Sequence, residues 1–591
     1  MAYGNFTEVL TRHGRERSDE PCLRFHRDGA WHDLSWGQVT TRVSRLAGGL
    51  VGLGLEPGDR AAIVSGNRPE WALADLGTVA AAGVVATVYP TLTDDETAFI
   101  LGHSAARIAF LENGDQLDKV KRVRARLPHL GHVVVLDGTA PDALSLGEVE
   151  DGATPEGIAT ARARARSANR DTPLTVVYTS GTTGVPKGVV LTHGNVLGVI
   201  ESVLEALGDA SDLRVNLSFL PLAHALERIA GHFMPLYLGR TIAYARTLDT
   251  VAEDFVTVRP QFAVAVPRVF EKVQTRIVAE VARKPLPVRT LFHWAVDVGS
   301  RRSRLAELGV EVPAVLRALH QVADRLVLAK IRERFGGRVR LFVSGGAPLA
   351  ADVARFFHAC GLLVCEGWGA TETSAPSTWN TPRAFRFGSV GRPLPGVEVR
   401  IAEDGELLVR GPNVFPGYLE NPAENAAAFD PGGFWRSGDI GRRDEDGYYF
   451  ITDRKKELVV LASGKNIAPT KIEGLLRARP LISNAMVHGD RRPYLVALLT
   501  VDRDALAQRQ PHLVGVAAGD QRIHAALAPD VEEVNRDLAR FEQIKRFAVV
   551  EPDFSPEGGE LTLTLKLKRR VIANLHGAAL EALYDGRQED R

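Results

Sequence analysis

The run "YTSGTTGVPKG" (Tyr178–Gly188) collects glycines, hydroxyls and a lysine within a few residues. Gly181, Gly184 and Gly188 let the backbone turn tightly and aim N–H groups at oxygens. Thr179, Ser180, Thr182 and Thr183 add neutral hydroxyl donors, and Lys187 adds one mobile positive charge. Together these groups suit the capture of a phosphate. The run is nevertheless not a kinase-type P-loop, which reads G-x-x-x-x-G-K-[ST]. Counted from Gly181, Pro186 stands where that pattern needs glycine, and Gly188 stands where it needs the hydroxyl that holds Mg²⁺. Other chemically able residues are scattered further along. They are His224 in "PLAHALER", the glycines of "SGGAPL", Trp368 and Glu372 in "GWGATETS", Asp439 in "FWRSGDIG" and Lys566 in "LTLTLKLKRR". Taken alone, each has an ordinary reading as a core aromatic, turn residue or surface charge.

Several elements must position these groups. "PLTVVYTS" reads as a buried strand that runs straight into the glycine loop, an order that suits a ligand at a strand's carboxyl end. Before it, "AAIVSGN", "VVATVYPTL", "ARIAFLEN" and "HVVVLDG" are short apolar runs separated by helical patterns such as "WALADLGTVAAAG". Strands alternating with helices predict an α/β fold with a largely parallel sheet. "ARARARSANRD" (Ala161–Asp171) has no apolar face and reads as an exposed connector, with a short Arg-rich helix as the alternative. Residues 281–337 are helical in pattern, broken by prolines, and basic. Later, "GELLVRGP" and "GYYFITDRKKELVVL" are glycine-punctuated alternating strands of a different texture. The main boundary is expected in "TDRKKEL", followed by a small α+β domain.

Composition narrows the class. A chain of 591 residues is too long for one ordinary core. A hydrophobic share of 45% and a charged share of 24% belong to a globular protein. Lys+Arg and Asp+Glu both total 72, and the balanced charge gives no support to a nucleic-acid partner. Cys22, Cys360 and Cys365 form no C-x-x-C and are odd in number, which argues against a disulfide framework or zinc knuckle. No apolar h-region opens the chain, and the longest apolar stretch, "TVAAAGVVATVY", is too short for a bilayer. The expected location is therefore cytoplasmic.

With the loop, the runs "LPLAHALER", "SGGAPL", "GWGATETS", "FWRSGDIG", "ITDRKKELVVLASGKNIAP" and "LTLTLKLKRR" occur in an order that resembles the adenylate-forming superfamily. Those enzymes include acyl-CoA synthetases, peptide-synthetase adenylation domains and firefly-type luciferases. "AVPRVFEKV" and the helical stretch after it look like bacterial long-chain fatty acyl-CoA synthetases. The resemblance covers the chain from about residue 30 to its end. It implies a large α/β N-terminal domain of parallel and mixed sheets with flanking helices (1–452), a hinge (453–458) and a small mobile α+β domain (459–591). The implied reaction joins a fatty-acid carboxylate to the α-phosphate of ATP, releasing pyrophosphate. Coenzyme A then displaces AMP.

By the same resemblance, the loop from Thr179 and Ser180 through Gly181, Thr182, Thr183 and Gly184 to Lys187 grips the β- and γ-phosphates. Glu372 and Thr182 help to hold Mg²⁺. Gly345, Gly346 and Ala347 admit the purine, Trp368 stacks on it, and Gly369 and Thr371 belong to the same nucleotide site. Asp439 accepts from the ribose hydroxyls and Arg454 donates to that sugar. His224 gates the path to CoA, Lys566 is the adenylation lysine, and Lys456 and Lys465 belong with the nucleotide ligands, Lys456 also fitting the hinge. Lys568, Arg569 and Arg570 read as a solvated basic face. Departures from the family pattern are Leu563 where proline is common, Ser463 where glycine is usual, and the lead-in "PGGFWRSGD". The rival readings are an acyl-AMP ligase that loads a carrier protein and a non-catalytic nucleotide-binding scaffold. The basic helical stretch around Arg301–Arg304 and Arg325–Arg334 is a candidate for peripheral contact with the inner face of an anionic membrane. Acyl chain length and oligomeric state stay open.

Overall fold

In the computed structural model the described residues are 3–179, 186–455, 457–463, 465–556, 558–562 and 565–585. Contacts divide the chain into two units, each discontinuous in sequence. The first comprises Met1–Ala265, Pro285–Arg400 and Leu408–Arg436; the second comprises Val266–Lys284, Ile401–Leu407 and Ser437–Arg591.

The first unit is α/β. Among the described residues its eight-stranded sheet runs Gly417–Tyr418, Lys187–Thr192, Pro173–Thr179, Val84–Val88, Arg60–Val64, Ile108–Leu111, His132–Val135, Leu144–Ser145. From Pro173–Thr179 to Leu144–Ser145 all neighbours are parallel. Each residue of Val84–Val88 is buried, as expected for a strand covered on both faces. Pro173–Thr179 takes Val84–Val88 in parallel on one side and Lys187–Thr192 antiparallel on the other. The glycine loop therefore joins two antiparallel neighbours, with Gly417–Tyr418 paired outside the second of them.

A second sheet of nine strands includes, in neighbouring order, Ala375–Trp379, Val364–Ala370, Leu341–Ser344, Phe262–Ala265, Val215–Ser218 and Thr241–Tyr244. Val364–Ala370 changes sense along its length. Its start pairs in parallel with Leu341–Ser344, and from Gly367 it pairs antiparallel with Ala375–Trp379.

The stretch read as a connector ends a helix, Pro155–Ser167, capped by Thr154. Ala161 and Ala165 are buried one turn apart, while Gly157 packs with its ideal Cβ position only 2.8 Å from the carbonyl oxygen of Gly48. Alanine spacing supplied a small face where no large apolar face existed, so the Arg-rich alternative is the correct one. All three cysteines are buried and unpaired. No described helix is long and apolar enough to cross a membrane.

The second unit is layered about a three-stranded sheet of Ile482–His488, Leu495–Val501 and Ile544–Val549. Leu495, Ala497, Leu499 and Val501 face a core containing Ile472, Leu476, Ile523 and Leu527, from helices Pro469–Arg477 and Gln521–Arg536. Val496 and Leu498 face the opposite way, toward Phe554, Leu561, Ile572 and Leu580. This period of two makes the sheet a middle layer. One side carries the two longer helices, and the other carries the residues about Lys566 with the short helices Arg569–Leu575 and Gly577–Ala582.

Candidate active site

The loop is anchored at both ends. Thr179 and Lys187 are cross-strand partners. Ser180, Gly181, Thr182, Thr183 and Gly184, assigned to the phosphates, lie outside the described residues. Lys187 Nζ meets Glu424 Oε2 at 2.6 Å and sits 5.4 Å from the ring centroid of Tyr418. The Tyr418 hydroxyl donates to Glu372 Oε1 at 3.0 Å. Burial, reinforced by the Glu372 carboxylate, holds the Tyr418 phenol well above its ordinary value and keeps it a donor. Tyr418 is itself fixed by pairing with Val189 and by Asn425, which accepts from its N–H and donates to its carbonyl. Lys187 and Glu372, 185 positions apart in sequence, are thus joined through one phenol.

Trp368, Gly369, Thr371 and Glu372 follow the change of pairing in Val364–Ala370. Trp368 is buried, and Thr371 and Glu372 are half-buried in a short 3-10 turn, Thr371–Thr373. A Cβ on Gly369 would lie 1.8 Å from the carbonyl oxygen of Ala375, so only glycine permits this close return of the chain. Gly345, Gly346 and Ala347 begin where Leu341–Ser344 ends, and Gly346 has a positive φ of 83°. That turn is held by Glu366, whose Oε1 accepts from the Leu349 N–H at 3.0 Å. Burial pushes the Glu366 carboxyl up to about 8.

His224 is half-buried on a segment tied to the first sheet. Asn67 donates to the Leu220 carbonyl at 2.6 Å and accepts from the Leu222 N–H at 2.9 Å; Thr87 donates to the Ala223 carbonyl at 3.2 Å. His224 Nδ1 accepts from the Leu226 N–H at 3.2 Å, which puts the proton of the neutral ring on Nε2. The chain continues as a π-helix, Glu227–Phe233. Arg228 there pairs with Asp75 at 2.6 Å and lies between the rings of Trp71 and Phe233. His232 Nε2 reaches the other Asp75 oxygen at 3.1 Å. Glu227 beside them is wholly buried, and burial pushes its carboxyl up to about 8.

In the second unit, Asp439 and Arg454 face each other across paired strands Trp435–Arg443 and Tyr449–Arg454. Arg454 Nε donates to Asp439 Oδ1 at 2.7 Å. The two residues assigned to the ribose are therefore already one ion pair. Lys456 lies outside the described residues. Lys465 closes the turn after Val459–Val460 through its carbonyl, and its Nζ lies 4.3 Å from the Phe541 centroid.

Lys566 is exposed on the returning arm of a turn. The Thr562 N–H donates to the Lys566 carbonyl at 2.8 Å, and the Lys566 N–H donates to Thr562 Oγ1 at 3.0 Å. Leu561, Leu565 and Leu567 pack into the core beneath, which turns Lys566 and Lys568 outward. Leu563, where a proline was expected, lies outside the described residues. Arg569 departs from the solvated face assigned to it. It makes a two-pronged ion pair with the buried Glu473, the longer contact being 2.7 Å. Lys568 and Arg570 are exposed, as expected.

Residues 10–419 match the AMP-binding enzyme family, and residues 456–588 match the AMP-binding enzyme C-terminal domain. The chain belongs to the AMP-binding enzyme family. Among AMP-binding enzymes it is similar to the long-chain-fatty-acid–CoA ligase FadD15 of Mycobacterium bovis, at 36% identity over 99% of this chain and 97% of the relative. It is also similar to the human long-chain-fatty-acid–CoA ligase ACSBG1, at 31% identity over 98% of this chain and 84% of the relative. The fold is that of the anthranilate CoA ligase AuaEII, solved in complex with anthranoyl-AMP. The TM-score is 0.74 at 19% identity, covering 98% of this chain and 99% of that one. A large α/β domain with a smaller C-terminal domain is thus the architecture of this AMP-binding enzyme.

Tyr418, Glu424, Glu366 and Arg569 were not found by reading motifs. Tyr418 and Glu424 sit in an undistinguished run, "FPGYLENPAEN". Arg569 was hidden among neighbouring charges. Glu366 had a signal, a lone acid in an apolar strand directly before "GWGATET".

Proposed function

We propose that this protein is an AMP-forming long-chain fatty acid–CoA ligase, activating the acid as acyl-AMP and passing the acyl group to coenzyme A. The observation that carries the reading is the full-length similarity to long-chain-fatty-acid–CoA ligases, in a chain where Lys187, Glu372, Asp439 and Lys566 are all present. In this reading Lys187 and its loop neutralise the outer phosphates. Trp368 and the turn at Gly345–Ala347 hold adenine, and Asp439, oriented by Arg454, accepts from the ribose hydroxyls. Lys566 places its charge where the α-phosphate and carboxylate build up negative charge. Beside Lys566, Leu561 is buried and Leu565 and Leu567 are half-buried against the core of the small sheet, which supports the lysine's placement. His224 controls access for the thiolate.

The donors suit magnesium. Glu372 is a half-buried carboxylate already oriented by a phenol, and hard oxygen donors are what Mg²⁺ prefers. Glu372 would hold the ion with Thr182 and water, and the ion would supply charge neutralisation to the phosphates. We further propose that the segment 453–458 is the hinge about which the small domain turns between half-reactions.

Incubation with ATP, palmitate and CoA tests the reading. AMP and palmitoyl-CoA should form in equal amounts. Palmitoyl-AMP that accumulates without thioester would favour a carrier-loading ligase, and no adenylate would favour a scaffold.

Peripheral membrane contact has a specific support. Val315, Leu319, Val322 and Leu326 are all exposed and recur at helical spacing along Ala314–Ala323 and the turn after it, with Val315 74% exposed. Arg317, Arg325 and Lys330 are exposed nearby. An apolar stripe rimmed by cations suits the surface of an anionic bilayer, where long-chain acids partition.

A further inference from the structure

Arg569 sits three positions after Lys566 and opens the helix Arg569–Leu575. Its two prongs hold both oxygens of Glu473, on the helix Pro469–Arg477. Glu473 is 2% exposed and also accepts from the Val487 N–H at 2.7 Å, on the first strand of the small sheet. The partner of the Lys566 turn is therefore fixed to the sheet that forms the middle layer.

The same guanidinium looks toward the segment proposed as the hinge. Arg569 Nε lies 3.7 Å from Glu457 Oε2. Asp453 is buried in this neighbourhood, and its Oδ1 accepts from the Arg454 N–H. Burial, with Glu457 and Glu473 close by, pushes the Asp453 carboxyl up to about 6 even though Arg569 opposes the shift. Two carboxylates, Glu473 and Glu457, thus meet one arginine, and that arginine lies three positions after the proposed adenylation lysine.

We propose that Arg569 is a positioning residue for the adenylation half-reaction: clamped on Glu473 and facing the 453–458 segment, it sets where the Lys566 turn stands. The leucines hold the turn down against the sheet, but apolar contacts are non-directional. A planar fork on a carboxylate fixes direction as well as distance, which lysine cannot do from a single ammonium. The inference rests on Lys566 being the adenylation lysine.

The test uses the full chain and measures the half-reactions separately. Adenylation is read as pyrophosphate release with hydroxylamine trapping, and thioester formation is read from supplied palmitoyl-AMP. Arg569→Lys keeps the charge and removes the fork. Misplacement of a reacting group by about 1 Å costs on the order of 100-fold. Adenylation kcat should therefore fall about 10- to 100-fold, while the KM for ATP and the thioester step stay within about twofold. Glu473→Gln, which keeps an acceptor for Val487, should give the same split and serves as the second route if Arg569→Lys does not fold. A merely structural role would lower both half-reactions together with the melting temperature, and that result would overturn the proposal. So would adenylation within twofold of wild type in both variants. Lys566→Ala runs alongside: full adenylation there would remove the premise and the proposal with it. Wild-type chain that makes no acyl-AMP would instead refute the ligase reading.

Discussion

Glu227 offers a prediction whose size can be worked out from its surroundings. Its side chain has no exposed surface, and the carboxyl stays protonated up to about 8 because burial penalises the charge. In the unfolded chain a glutamate ionises near 4.3. The sign follows from linkage: a raised folded-state pKa contributes stability that is fully present below about 4.3 and is lost as pH rises toward about 8. At pH 7 the unfolded chain gains ionisation over roughly 2.7 pH units, about 3.7 kcal/mol at about 1.36 kcal/mol per unit. Glu227→Gln cannot ionise, so this loss disappears. The amide adds an offset of its own, but one that does not depend on pH. Over 591 residues the unfolding entropy is about 1.2 kcal/mol/K, from about 2.1 cal/mol/K per residue. The variant's melting temperature relative to wild type should therefore climb by about 1 °C per pH unit between pH 5 and 8, then level off. Calorimetry at pH 5, 6, 7 and 8 on both chains measures this. Titration of Asp75 and His232 is common to both and largely cancels. A difference between the two chains that is constant across pH 5–8 would refute the claim that Glu227 is kept neutral.

Further outcomes can be checked on the same preparation. Asp439→Ala removes a charged acceptor from two ribose hydroxyls and should weaken ATP binding by about 10- to 150-fold, the equivalent of about 1.5–3 kcal/mol; an unchanged ATP KM and rate would count against the ribose assignment. Lys566→Ala should slow adenylation by about 10²–10³-fold and leave thioester formation from supplied acyl-AMP nearly intact. If both half-reactions slowed equally, the two-state account would fail for this protein. Leu319→Glu with Val322→Glu puts acids into the exposed stripe and should abolish co-sedimentation with anionic vesicles at low salt. Wild-type chain that does not sediment with them would remove the membrane proposal altogether.

What was legible in the sequence was what depends on short-range pattern. Apolar runs ending in turn residues marked Arg60–Val64, Val84–Val88, Ile108–Leu111, His132–Val135 and Pro173–Thr179, because buried parallel strands need uninterrupted apolar side chains. The motif residues were legible for a similar reason: glycine and lysine at fixed offsets state a local chemistry wherever the chain goes. The helix through Ala161 and Ala165 was read less well, since its buried face consists of small side chains that carry little hydrophobic signal. Tertiary structure decided the partners. Nothing near Lys187 in sequence names Tyr418 as its bridge to Glu372, or Glu424 as its counter-ion. Arg569 looked like one of three solvated cations until Glu473, 96 positions away, proved to be buried against it. A charge's environment is set by what the fold brings within a few ångströms, and sequence spacing carries no information about that distance once the chain has turned back on itself.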